Sequence, residues 1–407
     1  EMNYQNPGDT SAQQELFRGL KVTEDREFCD QHMGRYPVVS LTLKGVDGVA
    51  FEDAYDRLAR TISRLAESFI WLDGPQLTEK EHVSLNRLAD YDFLKQPSAR
   101  GNAEGALVFL CTLLRKRFGD KYLPVLLIDE YDVPLQKAAV GGYYEQMSKV
   151  IGSLLGDAIK TNSGISNVIL TGCLRATKEG IFTGLNNLNV DTVLTRRNSL
   201  CTAIGFTPEE VRTMLEYYGF GDLYEKARSW YDGYSIGEHD LFCPWDVSCY
   251  VDALCDCENP RGLDPEPYWN NTSNTPVITE HMPHLSPEDS DRMQELIAGR
   301  SIEAEMDEGM SYGTLRLHNL SSRQFWNILL YTGYLTLAER GTGRVHKLRI
   351  PNEEIRWCFK ENISDYYEGK DQSPYGLLAK KLIDQLLSAD SIHAAESLQS
   401  LLAGFVS

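Results

Sequence analysis

The sequence predicts an α/β protein: a parallel-sheet core over residues 1–205, a mostly helical region with a small β-ribbon over 206–360, and a helical segment over 361–407. Three observations predict it. Strand-length apolar runs alternate with segments of helical period in the first half of the chain. Those runs are continuous rather than alternating, the pattern of parallel strands covered on both faces. The character then changes after TAIGFTPEEV, where Thr207-Pro208-Glu209-Glu210 is a strong helix start.

Taken in order, YPVVSLTLK (36–44) is β-branched and reads as a strand. FEDAYDRLARTISRLAESF (51–69) carries apolar residues at helical spacing and acids in its first turn, reading as a helix. Residues 102–118 read as a second helix, LPVLLID as a buried strand, 142–158 as a helix and SNVILTG as another buried strand. Beyond Phe206, helical segments surround the aromatic cluster SWYDGYSI. Residues 258–285, with many Pro, Asn and His, read as an irregular connection. A helix over 321–331, a β-ribbon over 333–350 and a helix over 352–367 follow.

Composition bounds the function. The 407 residues are 42% hydrophobic and 24% charged, the balance of an ordinary globular protein. The longest apolar runs fall far short of the roughly 20 residues that span a bilayer. No membrane segment and no secretory signal is read, so a cytoplasmic location is expected. Nine scattered cysteines fit reduced thiols better than a disulfide framework. The formal charge of −19 argues against wrapping a phosphate backbone, so nucleic acid is not the expected partner of this segment. The first residues and the closing SLLAGFVS both look cut rather than natural.

The most informative segment is LPVLLIDEYDVPL, in which an apolar strand runs straight into two carboxylates. Ligands of open parallel sheets bind beyond the carboxyl ends of the strands. There Asp129 is placed to hold Mg²⁺, directly or through water, and Glu130 to polarise an attacking water. Asp132 and Pro134 would shape the turn leaving the sheet. A lone Asp-Glu pair also has a plainer reading, as solvated strand-end acids or a helix cap. The second strand adds weight: SNVILTGCLR ends in Thr171 with Arg175 close behind, where an ATPase core places a γ-phosphate sensor. Thr171 can equally be a plain strand-end residue.

A P-loop NTPase also needs a glycine-rich loop ending in Gly-Lys-Ser/Thr, whose amides and lysine neutralise phosphates. The chain has none. Its only Gly-Lys pair, Gly369-Lys370, is followed by Asp371 in a polar segment. The core therefore reads as P-loop NTPase-like with the phosphate-loop strand missing, and weak or no ATP binding is expected of this chain alone. In this class that strand lies at the centre of the sheet. Its loss would leave unpaired backbone groups between two strands or force them to close up.

A series of motifs resembles the predicted AAA-ATPase-like family, in which an ATPase-like domain usually precedes a PD-(D/E)XK nuclease-like domain. They are ELFRGLKV (15–22), YPVVSLTLK (36–44), LLIDEYDVPL (126–135), LTGCLRATKEGIFTGLNNL (170–188), IGFTPEEV (204–211), SWYDGY (229–234), CPWDV (243–247), YWNNTS (268–273), LYTGYLTL (330–337) and LRIPNEEI (348–355). The resemblance covers about Glu15 to Phe359. It implies that Asp129 and Glu130 match the family's Walker B acids and that Thr171 and Arg175 match its sensor region. It implies ATP and Mg²⁺ as cofactors, a phosphate loop upstream of Glu1 and nuclease-like carboxylates beyond Ser407.

Other constellations are weaker. Asp365 with Glu368-Gly369-Lys370 mimics a nuclease D…ExK arrangement but reads as a loop. Cys255, Cys257, His281 and His284 offer metal ligands at poor spacing. Trp230, Tyr231, Tyr234, Phe242 and Trp245 could stack bases or peptides, although packing of the helical region against the core is the commoner use of such a cluster. The loop Gly180 to Asn187 could face nucleotide or be a turn, and Arg196 or Arg197 could complete a neighbour's site. Two readings of function emerge. One is an ATP-binding or ATP-hydrolysing regulatory domain; the other is a degenerate, non-catalytic module that binds a protein partner or itself.

Overall fold

The structure, a computed structural model, describes residues 2, 4, 9–160, 164–174, 188–195, 200–269, 285–307, 309–310, 312, 320–341, 343–370, 374–388 and 391–405. The chain divides into two compact units. One comprises Glu1–Val190 with Glu308–Arg316, the other Asp191–Asp307 with Leu317–Ser407.

The first unit is built on a parallel three-stranded sheet in the order β1 (Val38–Thr42), β2 (Val125–Asp129), β3 (Asn167–Leu170). The register sets Thr42 opposite Asp129 and Ile128 opposite Leu170. The carboxyl ends of all three strands therefore share one edge. Helices connect the strands: α1 (Phe51–Glu67), α2 (Glu79–Ala89), α3 (Ala106–Phe118), α4 (Val133–Gly141) and α5 (Tyr144–Lys160). In α1, Phe51, Ala54, Tyr55, Leu58, Ala59, Ile62 and Ala66 are buried, one stripe at helical spacing. Its first turn carries Glu52 and Asp53, and the Asp53 carboxylate accepts a hydrogen bond from the Ala50 amide at 3.2 Å. The helix read as continuous over 102–118 is interrupted. A short piece, Arg100–Glu104, ends at Gly105 before α3 begins.

The strand SNVILTG, expected to be buried, lies at the edge of the sheet among the described residues. Only one side of β3 is paired, and Ile169 is 56% exposed. β2 and β3 hydrogen-bond directly, with Thr171 N donating to Ile128 O at 2.9 Å.

The second unit is mostly helical. α6 (Pro208–Tyr217) starts at the expected capping box, in which the Thr207 hydroxyl accepts from Glu210 N at 3.3 Å and Glu210 accepts from Thr207 N at 2.9 Å. α7 (Tyr224–Tyr231) leads into a hairpin, β4 (Tyr234–Ile236) and β5 (His239–Leu241), followed by α8 (Pro244–Asp256) and α9 (Pro287–Ile297). The expected β-ribbon, β7 (Thr336–Glu339) and β8 (Val345–Arg349), is extended by β6 (Ile302–Glu305) into an antiparallel sheet ordered β6-β8-β7, with α10 (Ser322–Tyr331) between β6 and β7 in sequence. Three helices close the unit: α11 (Glu353–Lys370), α12 (Pro374–Leu387) and α13 (Ser391–Phe405). Asp365 to Lys370 lies in α11 and not in a loop, because no proline interrupts the run from Glu353. A helix no more than a loop supplies the strand that a D…ExK site requires.

The aromatic cluster packs within this unit. Tyr231 and Phe242 are buried beside Val211, Leu215, Tyr224 and Tyr250, while Trp245 is exposed. All nine cysteines are free. Among the described residues no three His, Cys, Asp or Glu side chains are grouped to hold a metal, and no helix is long and apolar enough to cross a membrane. His281 and His284 lie outside the described residues.

Candidate functional site

The site is the carboxyl edge of the parallel sheet. β2 delivers Asp129 there because its apolar residues Leu126 and Ile128 are buried while the strand end is exposed. Leu43 N donates to Asp129 O at 2.9 Å, so the β1 end is tied to the same point. The next residue, Glu130, adopts φ 52°, the one positive φ outside glycine among the described residues. A left-handed glutamate costs about 1–2 kcal/mol, and strain of this kind gathers at functional sites. Its effect is local and visible: the chain turns so that Tyr131 N donates across to Thr171 O at 3.1 Å.

Thr171 donates its hydroxyl to the Asp129 carboxylate, so the two residues expected to cooperate are brought together. Glu130 is half-buried. Burial raises its carboxyl above the usual range, the Lys44 ammonium opposes that rise, and Asp129 and Asp132 add to it. Lys44, just past β1, thus supplies positive charge beside the acids. Arg175 lies outside the described residues, as do Gly180 to Asn187, Arg196 and Arg197.

Sequence reasoning missed what Asp132 does. Read as a turn residue, it is 2% exposed and binds the segment after β3. Its Oδ2 accepts from Cys173 N and Leu174 N, each at 2.9 Å, and from the Tyr312 hydroxyl at 3.1 Å. Tyr131 adds a hydroxyl bond to Leu174 O. The fit leaves no room at Gly172, where a Cβ would stand 2.5 Å from Asp132 Oδ1. Burial pushes the Asp132 carboxyl up and the bonds it accepts pull it back. Asp132 therefore fixes the path of residues 171–174, and with it the position of Thr171 against Asp129.

As a chemical arrangement, an exposed carboxylate joined to a hydroxyl suits a hard divalent cation that keeps much of its water. The described residues offer less to a triphosphate: Lys44 is present, a Gly-Lys-Ser/Thr loop is not. The AAA-ATPase-like family, described as Predicted AAA-ATPase, matches residues 2–182, a span that contains this edge from β1 to Leu174. The matched segment is the part of the chain that holds Asp129, Glu130 and Thr171, and the match carries an expectation of nucleotide binding. The chain is also 24% identical over 360 residues to an uncharacterized protein in the vnfD 5′ region of Azotobacter chroococcum mcd 1, covering 86% of this chain. The chain spans 57% of that relative's length. No solved structure matches.

Proposed function

We propose that the AAA-ATPase-like unit is a nucleotide-responsive regulatory domain of the P-loop class whose reacting edge is formed by Asp129, Glu130 and Thr171. The observation that carries this reading is the hydroxyl bond from Thr171 to Asp129 at the carboxyl ends of paired parallel strands, beside a strained Glu130. Asp129 with Thr171 would hold Mg²⁺, which when bound neutralises charge on nucleotide oxygens. Glu130 takes a proton from the attacking water; its raised carboxyl makes it a better base than a fully solvated glutamate. Asp132 keeps Thr171 in place, and Arg175 joins Thr171 as the phosphate-sensing pair. ATP is the expected nucleotide. Nucleotide state would alter the helical region 206–360, and 361–407 would link it to a downstream, nuclease-like effector. A cytoplasmic setting fits this reading.

The second reading keeps the fold without the chemistry, as a non-catalytic module for a protein partner or self-association. It is favoured by the lack of a Gly-Lys-Ser/Thr sequence in this chain. Phosphate release from ATP separates the two, measured on this chain and on a form extended upstream through any Gly-Lys-Ser/Thr loop its gene encodes. The ATPase reading predicts turnover in the extended form, reduced about 10²–10⁴-fold by Glu130→Gln. Absence of turnover in every form, with the loop present, would leave the interaction module.

A further inference from the structure

The second unit contains a buried acid pair that the nucleotide reading does not use. Asp246 lies in the first turn of α8 and Glu354 in the first turn of α11, and both are 0% exposed. The two side chains are within hydrogen-bonding reach of each other. Glu354 Oε1 accepts from Trp269 N at 2.7 Å; the Tyr268 amide lies close to Glu354 and the Cys243 thiol close to Asp246, yet Glu354 Oε2 and both Asp246 oxygens are buried without a well-formed hydrogen bond.

Two ionised carboxylates cannot occupy such a place without compensation. Each would be stripped of water and would repel the other. Among the described residues, the titratable groups that face the pair are Tyr231, Tyr234, Cys243, Cys249, Tyr268 and Cys358. Every one is an acid, and among the described residues no cation stands out against either carboxyl. One proton held between the carboxyls removes one charge and supplies the donor that the bare oxygens lack. This is the state that like-charged carboxyls adopt when they are close. The pair also gathers motifs that the nucleotide site leaves aside: Asp246 belongs to CPWDV, Glu354 to LRIPNEEI, and Trp269 to YWNNTS.

We propose that Asp246 and Glu354 share one proton in the folded unit, and that this shared proton is a lock joining the starts of α8 and α11 to the Tyr268–Trp269 segment, released when the proton is lost. Burial first, and Asp246 second, hold the Glu354 carboxyl far above the ordinary carboxylate range. The sign follows from that direction. A carboxyl whose pKa is raised on folding contributes stability that is complete below its unfolded value, about 4.3, and is lost as pH rises through the folded value. The lock is closed at mildly acidic and neutral pH and opens in the alkaline range. The inference is independent of nucleotide binding and stands if the site on the parallel sheet is inert.

The direct test is infrared spectroscopy of the whole chain at neutral pH. The C=O stretch of a protonated carboxylic acid should be present in the wild type, lost on raising the pH, and lost in Glu354→Gln and in Asp246→Asn. Amide hydrogen exchange at Trp269 reads the lock itself. Its protection in the wild type should fall at least tenfold more between neutral and alkaline pH than in Glu354→Gln, after correction for intrinsic exchange. Wild-type protein without that band at neutral pH overturns the proposal, whether or not either variant folds. So does a Trp269 amide whose protection follows the same pH course in the wild type and in Glu354→Gln.

Discussion

Glu130 is a strained residue at the end of a strand, and its backbone can be tested apart from its carboxylate. Replacing it with Gly relieves the left-handed conformation, whereas Ala keeps the strain and also removes the carboxylate. Glu130→Gly should be more stable than Glu130→Ala by about 1 kcal/mol, read by chemical denaturation. Gly172 tests the opposite constraint. A methyl group there meets the buried Asp132 carboxylate and the Tyr131 ring, so Gly172→Ala should destabilise the first unit by about 1–3 kcal/mol. Equal stability would mean that Asp132 does not hold residues 171–174. Asp129, Glu130 and Thr171 could be picked out from sequence because each stands at the polar end of an apolar run. Asp132 could not be assigned its role, since the Tyr312 that reaches it is 180 residues away and no local pattern announces such a contact. A long separation in sequence likewise hides the meeting of Asp246 with Glu354.

At the scale of elements, β1, β2, α1 and α6 were legible because period, acids in the first turn and the Thr207–Glu210 capping box all agree with the fold. β3 shows where such reading stops. The run NVIL is apolar enough for a central strand, but apolarity alone does not say how many neighbours a strand has. β6 was missed because IEAE is short and half acidic, and its partner β8 lies beyond another helix. The edge position of β3 has a measurable consequence. Ile169 is mostly exposed, so Ile169→Thr should change stability by less than about 0.5 kcal/mol and reduce self-association, read by denaturation and sedimentation. A loss of 2 kcal/mol or more would instead mean that this face of β3 is covered.

At the scale of the whole molecule, each unit buries apolar residues of its own, and the two candidate devices fall in different units. Hydrogen exchange across the chain should therefore report Gly172→Ala chiefly in peptides of residues 38–174 and Glu354→Gln chiefly in peptides of 208–360. The central claim is that the strand-end acids of the first unit hold Mg²⁺ with nucleotide. Calorimetric titration of Mg²⁺-ATP into the chain, and into a form extended upstream through any Gly-Lys-Ser/Thr loop its gene encodes, tests it most directly. The account predicts that the extended form binds, that Asp129→Asn weakens binding at least tenfold in Mg²⁺ and much less without it, and that Glu130→Gln leaves binding in place. Binding unaffected by Asp129→Asn, or no binding by a form that contains the loop, would contradict it.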